Sequence, residues 1–355
     1  MQVEYLIIGQ GISGTFLSFY LQKEKKSLLV IDNNQPDSAS RIASGIINPV
    51  TGRRIVKAWM IDELIPFIKK VYIELGNELS VKALSEKKII DFFPTAQMRL
   101  AFSERKNEDA SFLQPEDEKK EFKSFFNYEL GYGVISPAFI THIETVLPAW
   151  RKKLQHNDQL FEENFDLSQL KIESGKVRYK DIIADKIIFC DGVNSLNNPL
   201  FQNLPFAFNK GEALIIEAND LLTDNIYKKG LVLAPLQEKG IFWVGTNYIW
   251  DYVDVLPTKE FIEKTEQQLK DWLKIPFTIL DHKASVRPAN VERRPFVGMH
   301  PVQQNVGILN GMGSKGCSLA PYFAKQLVDH LIHKKEILPG ANIKRFSQVL
   351  SRHKT

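Results

Sequence analysis

The chain has 355 residues, of which 44% are hydrophobic and 25% charged, and its formal net charge is +4 at pH 7. This length allows two domains with a large core, and the composition is typical of a globular protein. The small charge does not favour a nucleic-acid-binding protein, and no apolar stretch approaches the roughly 20 residues that a membrane span needs.

Targeting and redox signals point to the cytoplasm. The first apolar segment begins at Val3, which leaves no room for the regions of a signal peptide. Cys190 and Cys317 form no CxxC pair and suggest no disulfide framework. We interpret the basic clusters as solvated surface, because acidic residues interrupt them: Arg53-Arg54, residues 151–153, Lys228-Lys229, Arg293-Arg294 and Lys334-Lys335.

The amino-terminal residues predict a strand, a glycine-rich turn and a helix, over residues 5–8, 9–14 and 15–23. This order forms the phosphate-binding corner of a dinucleotide fold. Glycines allow the tight turn, the approach of a pyrophosphate and close helix–strand packing, while the helix N-terminus attracts the phosphates. The candidate phosphate-binding residues are Gly9, Gly11, Ile12, Ser13 and Gly14.

A second predicted strand, residues 28–31, ends in Asp32. An acid about twenty positions past the glycines accepts hydrogen bonds from a ribose hydroxyl in this fold. The alternative is an ordinary strand-end aspartate that caps a loop. Asn33 and Arg41, in the loop-like segment 33–54, are counted with the candidate cofactor ligands.

The rest of the chain alternates between the two predicted domains. Hydrophobic spacing and turn signals predict helices over 59–79, 136–155 (Ser136 as N-cap, then Pro137), 259–273 and 318–333. Strands are expected at 89–93, 98–102, 171–172 and 177–179 (a hairpin through Ser174-Gly175), 187–190, 213–217, 231–234, 241–245 and 306–309. The predicted cofactor domain comprises 1–50, 136–205 and 286–355, and the β-rich substrate domain 51–135 and 206–285.

Four blocks of this chain resemble the FAD-dependent D-amino acid oxidase and glycine oxidase superfamily. They are the glycine turn with Asp32, residues 42–49, residues 188–195, and residues 286–298 with 311–321. The turn that begins at Gly311 is most similar to the FAD domain of the bacterial bifunctional enzyme that matures 5-methylaminomethyl-2-thiouridine in tRNA. The 355 residues of this chain leave no segment for the methyltransferase half of that enzyme, so the resemblance covers only its FAD domain.

This resemblance implies an α/β protein in which a Rossmann-like, GR2-type FAD-binding domain carries an inserted antiparallel-β substrate domain. It also implies non-covalent FAD, which Cys317 gives no reason to link covalently. Beyond the amino-terminal candidates, the implied FAD ligands are Ala43, Ser44, Gly45, Asp191, Gly192, Gly311, Gly313, Ser314, Lys315, Gly316 and Cys317.

The implied chemistry is oxidation of an amine C–N bond by hydride transfer to flavin N5, giving an imine that water hydrolyses. Backbone N–H groups of residues 313–317 would face the flavin edge, although the glycines would also suit tight packing alone. Lys315 would hold a water or favour reoxidation by oxygen, or lie on the surface. Arg287 would bind a substrate carboxylate, or pair with a structural acid such as Glu292.

The substrate pocket departs from the amino-acid oxidases. Where those enzymes carry a tyrosine before a proline, this chain has Leu231-Val232-Leu233-Ala234-Pro235, so glycine and small D-amino acids are not assured substrates. The further substrate candidates are Asn48, Arg53, Tyr248 and Trp250, with Tyr252 nearby, although aromatic residues more often belong to a core. No metal site is expected, since His330 and His333 suit a solvated helix end.

We therefore expect a cytoplasmic FAD-dependent amine or amino-acid oxidase or dehydrogenase that acts on a small-molecule amine. The sequence does not determine its oligomeric state. One alternative is modification of a tRNA wobble uridine, which requires a continuous basic surface with Arg53, Arg54 and Lys57 as candidates. The other alternative is a non-catalytic flavin-binding scaffold.

Overall fold

The computed structural model describes residues 1–116, 122–173 and 175–351. Its strands, in chain order, are β1 (Gln2–Ile8), β2 (Leu28–Ile31), β3 (Ile46–Ile47), β4 (Val50–Thr51), β5 (Val56–Lys57), β6 (Leu84–Phe92), β7 (Leu113–Gln114), β8 (Tyr132–Thr141), β9 (Leu160–Phe161), β10 (Leu170–Glu173), β11 (Lys176–Tyr179), β12 (Ile182–Phe189), β13 (Asn209–Glu217), β14 (Asn225–Lys229), β15 (Leu231–Pro235), β16 (Ile241–Gly245), β17 (Thr278–Arg287), β18 (Phe296–Met299) and β19 (Val306–Asn310).

The α-helices are α1 (Ile12–Lys23), α2 (Ala39–Ile42), α3 (Ile61–Leu79), α4 (Ala96–Glu108), α5 (Ile143–His156), α6 (Lys259–Trp272), α7 (Gly316–His333) and α8 (Ser347–Leu350). Short 3-10 helices cover Leu167–Gln169, Gly192–Asn197, Gly313–Lys315 and Ile343–Phe346. In the described part of the chain, no helix is both long enough and apolar enough to cross a membrane.

The chain divides into two units, each assembled from separated segments. Unit 1 comprises Met1–Arg41, Glu144–Asn209 and Val286–Thr355, and unit 2 comprises Ile42–Ile143 and Lys210–Ser285. These bounds differ from the predicted ones at three places. Residues 42–50 and 136–143, which we expected in the cofactor domain, belong to unit 2, and residues 206–209, which we expected in the substrate domain, belong to unit 1.

Unit 1 is built on a largely parallel sheet of strand order β10-β11-β12-β1-β2-β9, in which β19 also pairs with β12 and β18 with β19. Ile8 lies opposite Ile31 and Phe189, and Phe189 lies opposite Ile308. Because these four strands are parallel and in register, the turns that follow them gather at one edge of the sheet.

Helix α1 lies in the interior of unit 1 and is buried on every side. All ten residues from 12 to 21 are buried, which is typical of a helix enclosed by other elements rather than of an amphipathic surface helix. Phe19 meets Trp150 of α5 edge-to-face at 5.7 Å, and Trp150 Nε1 donates to Ser18 Oγ at 2.8 Å. α1 also packs against α7, which links the first helix of the unit to its long carboxy-terminal helix.

Unit 2 is a mostly antiparallel sheet of order β17-β13-β16-β15-β14-β6-β8-β3, with β7 on β8. The β14–β6 pair is parallel. Its core is an aromatic cluster in which Phe126 lies 4.9 Å from Phe92, 4.8 Å from Tyr227 and 5.0 Å from Trp272, measured between ring centroids. These rings pack together in the core of unit 2, and Trp272 attaches helix α6 to this core.

Two predicted elements are wrong. Residues 98–102 lie in helix α4 rather than in a strand, and Thr95 caps the helix by accepting from Met98 N at 3.3 Å. Only Phe102 is buried in α4, so the helix lacks the apolar periodicity that would have indicated it. Ser136 and Pro137 lie within β8, and the helix begins at Ile143.

The position of Pro137 follows from its missing N–H group. Ala138 pairs with Lys87 and Ile135 with Ile89, and the register between β6 and β8 shifts between these pairs. A proline is tolerated inside a sheet where the ladder is already interrupted, because no hydrogen bond is lost there. The hairpin of β10 and β11 is confirmed, although Ser174 of its predicted turn lies outside the described residues.

The aromatic cluster predicts where unit 2 is sensitive to truncation. We expect Phe126→Ala to lower the free energy of unfolding by about 3–5 kcal/mol, since Phe126 is fully buried and leaves a cavity. Leu100→Ala is the matched control, because Leu100 is 60% exposed and surface changes stay within about 0.5 kcal/mol. Thermal and urea unfolding measure both, and equal shifts for the two variants would contradict the assignment of the core.

Candidate active site

The first glycine turn is shaped by direct backbone contact. Gly9 has φ +99°, and a Cβ atom there would lie 2.5 Å from the carbonyl oxygen of Cys190. A Cβ atom on Gly14 would overlap the carbonyl oxygen of Gly9. Only glycine fits at these two positions, in agreement with the tight turn and close packing that the sequence predicts.

The N-cap residue of helix α1 supplies no capping side chain, and Ser40 binds one of the first N–H groups. This N-cap residue, Gly11, makes no side-chain cap hydrogen bond, and Ile12 N donates to Ser40 Oγ at 3.0 Å. A Cβ atom on Gly11 would lie 2.9 Å from the same hydroxyl oxygen. The helix therefore presents backbone N–H groups, including that of Ser13, and a partial positive charge at the sheet edge, which suits an anionic group.

Asp32 is held by three groups. Its Oδ2 accepts from Gln10 N at 2.8 Å, and its Oδ1 accepts from Asn34 N at 2.9 Å and from Arg151 Nη1 at 2.5 Å. Oδ2 thus keeps a lone pair that a ribose hydroxyl would use. Arg41 Nη2 lies 3.9 Å from Oδ1, so two arginines flank this carboxylate.

Arg151 was missed by the sequence analysis, which interpreted residues 151–153 as solvated surface. Its side chain is only 7% exposed, and it contacts Asp32 across 119 positions of sequence. No local pattern signals a pairing at that separation. Lys228 is a second exception to the surface interpretation, since its Nζ lies 2.7 Å from the buried Asp91.

The ends of β12 and β19 are tied together by Asn310, another residue that sequence reasoning missed. Its Nδ2 donates to the carbonyl oxygen of Gly192 at 2.7 Å and to Ser195 Oγ at 2.8 Å. Asp191 accepts from the Ser195 hydroxyl. Burial raises the pKa of Asp191 to about 6, and the hydrogen bond from Ser195 opposes this shift.

The late glycine turn meets the first one. Gly311 and Gly313 have φ of +77° and +56°, and α7 begins without a capping side chain. A Cβ atom on Gly316 would lie 3.2 Å from Ile12 Cγ2, so the starts of α7 and α1 touch. Ser314 of this turn is exposed and Cys317 is buried. Two helix N-termini therefore converge in unit 1.

Lys315 and Arg287 carry positive charge in the same unit. Lys315 is half-buried, and this burial lowers its pKa, with further lowering by Arg294 and Arg293. Arg287, at the end of β17, donates from Nη1 to Asn209 Oδ1 at 2.9 Å.

Glu292, the acid named as an alternative partner of Arg287, accepts from Arg345 Nε at 2.9 Å. Lys315, for which a surface position was the alternative, is half-buried.

Several predicted residues engage other protein groups. In unit 1, the Asn33 side chain donates to Asn164 Oδ1 at 2.7 Å. In unit 2, a Cβ atom on Gly45 would overlap the carbonyl oxygen of Thr141, while Ala43 is exposed and Ser44 half-buried. Asn48 Oδ1 accepts from Val50 N at 2.9 Å, and Arg53 is exposed. Gly45 is therefore a structural requirement of unit 2 in its own right.

The aromatic candidates of unit 2 form an exposed pair. Tyr248 and Trp250 are 50% and 64% exposed, and their rings stack with centroids 6.1 Å apart. Both ends of this loop are held by the buried carboxylate of Glu212, which accepts from Asn247 Nδ2 at 3.1 Å and from Thr258 N at 2.6 Å. The pair is thus a surface feature on an anchored loop rather than part of a core.

Near the end of α7, Glu24, Asp329 and His333 place one potential ligand atom each within 4.8 Å of the others. Asp329 also accepts from Lys325 Nζ at 2.5 Å and lies 3.6 Å from Lys335 Nζ. Because two ammonium groups already neutralise this carboxylate, we interpret the cluster as a salt-bridge network at a helix end.

Comparisons with known proteins agree with this geometry. Residues 4–330 match the family described as FAD dependent oxidoreductase. Glycine oxidase of Bacillus subtilis (strain 168) is 25% identical, with 94% of each chain covered. Glycine oxidase from Geobacillus kaustophilus has a similar structure, with a TM-score of 0.79, 16% identity and 100% of both chains covered.

A further solved structure, iminodiacetate oxidase from Chelativorans sp. BNC1, is similar with a TM-score of 0.76 and 17% identity, covering 97% of this chain and 98% of the other. Likeness at these identities establishes a shared fold. The predicted fold class, a Rossmann-like FAD-binding domain combined with a sheet domain, is therefore confirmed.

The residues of unit 1 fit FAD. The positions of Gly9 and Gly14 leave no room for a side chain, and the N-terminus of α1 suits the pyrophosphate. Asp32 keeps an acceptor for the ribose, and the uncapped start of α7 suits the electron-rich edge of the flavin ring. We assign these roles as proposals for the residues concerned.

Gly14→Ala tests the cofactor corner. The added methyl group would overlap the Gly9 carbonyl oxygen, and overpacking of about 1–3 kcal/mol corresponds to about 10- to 100-fold weaker FAD binding. Fluorescence titration of the FAD-free protein measures it. Gly175→Ala is the control, since nothing lies within 4 Å of its Cβ position despite φ +82°. Equal FAD affinity of the two variants would contradict the assignment.

Asp191 gives a pH prediction. Because its folded pKa of about 6 exceeds the ordinary value of 3.8, the folded protein binds the proton more tightly, and this stabilisation is lost as pH rises through about 6. Asp191→Asn should therefore flatten the dependence between pH 4 and 7 and raise the stability at pH 8, by at most about 3 kcal/mol.

Thermal unfolding across this pH range measures the effect. Asp166→Asn is an opposite-sign control, since hydrogen bonds from Ser168 lower the pKa of Asp166 and its stabilisation is instead lost as pH falls. A parent-like pH profile for Asp191→Asn would show that Asp191 is solvated in the folded protein.

Proposed function

The chain belongs to the FAD-dependent oxidoreductase family, and from this premise we propose that it oxidises the C–N bond of a small amine that carries a carboxylate. The product is an imine, which water hydrolyses. The observation that carries the substrate class is the half-buried Arg287, held by Asn209 in the unit that contains both glycine turns.

A guanidinium suits a carboxylate because its planar fork makes two parallel hydrogen bonds. Asn209 is buried, and its Oδ1 accepts from Arg287 Nη1 at 2.9 Å. This bond positions the guanidinium. Two of the relatives are named for the oxidation of glycine and of iminodiacetate, and each of these compounds combines an amine with carboxylate. The relatives therefore support the same substrate class.

Bound non-covalently, FAD would supply the two-electron oxidant. This chain's residues then bind and orient the substrate rather than donate a covalent nucleophile, because a neutral amine in the right position needs no obligatory protein acid or base. Lys315, half-buried and with a lowered pKa, would place a cation or a neutral amine beside the late glycine turn, where it would hold a water.

The tRNA alternative is not favoured. Of its candidate basic residues, Arg53 and Arg54 are exposed, but Lys57 Nζ lies 3.1 Å from Asp62 and 2.6 Å from Asp109. These two carboxylates neutralise the positive charge of Lys57, which therefore does not serve as a phosphate contact. Family membership likewise disfavours a scaffold without catalytic activity, which would hold FAD that no amine reduces.

Arg287→Ala is the test of the carboxylate assignment. We expect KM for N-substituted glycines to rise about 10- to 100-fold, since a hydrogen bond to a charged group contributes about 1.5–3 kcal/mol. Amines without a carboxylate should react as with the parent enzyme. Anaerobic loss of the yellow absorbance against a panel of amines, including modified tRNA, measures both quantities.

Arg178→Ala is the matched control, because Arg178 lies in the same unit and makes only a 3.7 Å surface contact with Glu173. If Arg287→Ala bleached at low substrate as readily as this control, the carboxylate role would be wrong. Bleaching by modified tRNA alone would instead support the wobble-uridine function.

A further inference from the structure

Unit 1 contains a cavity, partly open to solvent, whose lining is basic. Its volume is about 420 Å³, and it is lined by Lys186, Met299, His300, Pro301, Gln304, Asn305, His330, Leu331, Lys334 and Lys344. This volume lies within the about 300–1,000 Å³ of small-molecule sites. It is more space than a single inorganic phosphate fills.

The cavity lies apart from the glycine turns. Asn305 and Met299 border the start of β19, whereas Gly311 follows its end, and a strand of five residues spans about 16 Å. Lys334 follows the end of α7, whose 18 residues span about 27 Å from the late glycine turn. The basic cavity therefore lies at the opposite edge of the parallel sheet.

The charges that line the cavity are all of one sign. Lys186, Lys334 and Lys344 contribute ammonium groups, and none of the lining residues is acidic. Within residues 1–116, 122–173 and 175–351, no ion pair joins these three lysines to a carboxylate. Like charges at one cavity repel each other, and a bound anion relieves that repulsion.

The helix dipole of α7 explains only part of this arrangement. His330 and Lys334 lie at its C-terminal end, where cations are stabilised without any ligand. Lys186, however, lies in β12 and Lys344 in the 3-10 helix Ile343–Phe346. Three separate elements thus bring positive charge to the same cavity.

A buried histidine also lines the cavity. His300 is 3% exposed, and its Nδ1 accepts from Val302 N at 3.2 Å and from Gln303 N at 3.0 Å. An Nδ1 that accepts two backbone bonds carries no hydrogen, so the hydrogen of this imidazole is on Nε2. The remaining apolar lining comes from Met299, Pro301 and Leu331.

We propose that this cavity binds a small organic phosphate. The lysines bind the phosphate dianion as point charges, a task to which lysine is suited, and Met299, Pro301 and Leu331 contact an apolar body of the ligand. The combination of charge and apolar lining favours a ligand that has both a phosphate group and an apolar body over an inorganic anion. The proposal does not depend on the oxidation that unit 1 and FAD carry out.

The experiment is isothermal titration of the FAD-loaded protein with phenyl phosphate, which joins a phosphomonoester to an apolar ring. Binding should be at least about tenfold tighter than that of inorganic phosphate or phenol, since each lacks one half of the recognition. Lys186→Met and Lys344→Met should each weaken it about tenfold, because each removes a charged hydrogen-bond donor.

Lys335→Met is the matched control, since Lys335 is exposed at the same helix end, faces Asp329 at 3.6 Å and does not line the cavity. It should bind phenyl phosphate as the parent does. Unchanged FAD absorbance and thermal midpoint in every variant show that folding is intact.

Any of four outcomes would overturn the proposal. The first is no heat of binding with phenyl phosphate, and the second is parent-like affinity of Lys186→Met and Lys344→Met. The third is equal affinity for phenyl phosphate, inorganic phosphate and sulfate, which would mark a site for charge alone. Release of FAD during the titration would place the ligand at the cofactor corner and overturn it as well.

Discussion

Unit 1 depends on the approach of two backbone segments at the end of β1. The carbonyl oxygen of Gly9 occupies the space that any side chain at Gly14 would need, and the carbonyl of Cys190 restricts Gly9 in the same way. These contacts bring α1 directly onto the end of the sheet. Because α1 is buried on all sides, its N-terminus cannot shift without moving the core. The position of the cofactor corner is therefore determined by packing.

The same constraint extends to helix α7. Gly316 at the start of α7 contacts Ile12 at the start of α1, so two helix N-termini and their partial positive charges meet. The turns after β1, β2, β12 and β19 lie at the same edge of the sheet, because these parallel strands are in register and end together. Buried polar groups then stabilise the edge. Arg151 neutralises Asp32, while Asn310 joins the turns after β12 and β19.

Much of this organisation is predictable from the sequence, because it follows from patterns among residues that lie close together in the chain. The strand, glycine turn and helix of residues 5–23 follow from spacing within about twenty residues, and so do the hairpin of β10 and β11 and the helices α3 and α6. Predictions failed where a local signal has two meanings. Ser136-Pro137 suits a helix start, yet it lies at an irregularity of a strand ladder, and helix α4 shows little burial to reveal its period.

The sequence by itself therefore determined the family, the fold class and the strand, turn and helix of residues 2–23, since motifs and element order are local properties of the chain. Only the tertiary structure decided that Arg151 pairs with Asp32, that Asn209 holds Arg287, and that Glu292 pairs with Arg345. It also decided that Tyr248 and Trp250 are exposed and that three lysines line one cavity. These contacts join residues far apart in sequence, and which side chains meet across such distances depends on how strands and helices pack rather than on any spacing along the chain.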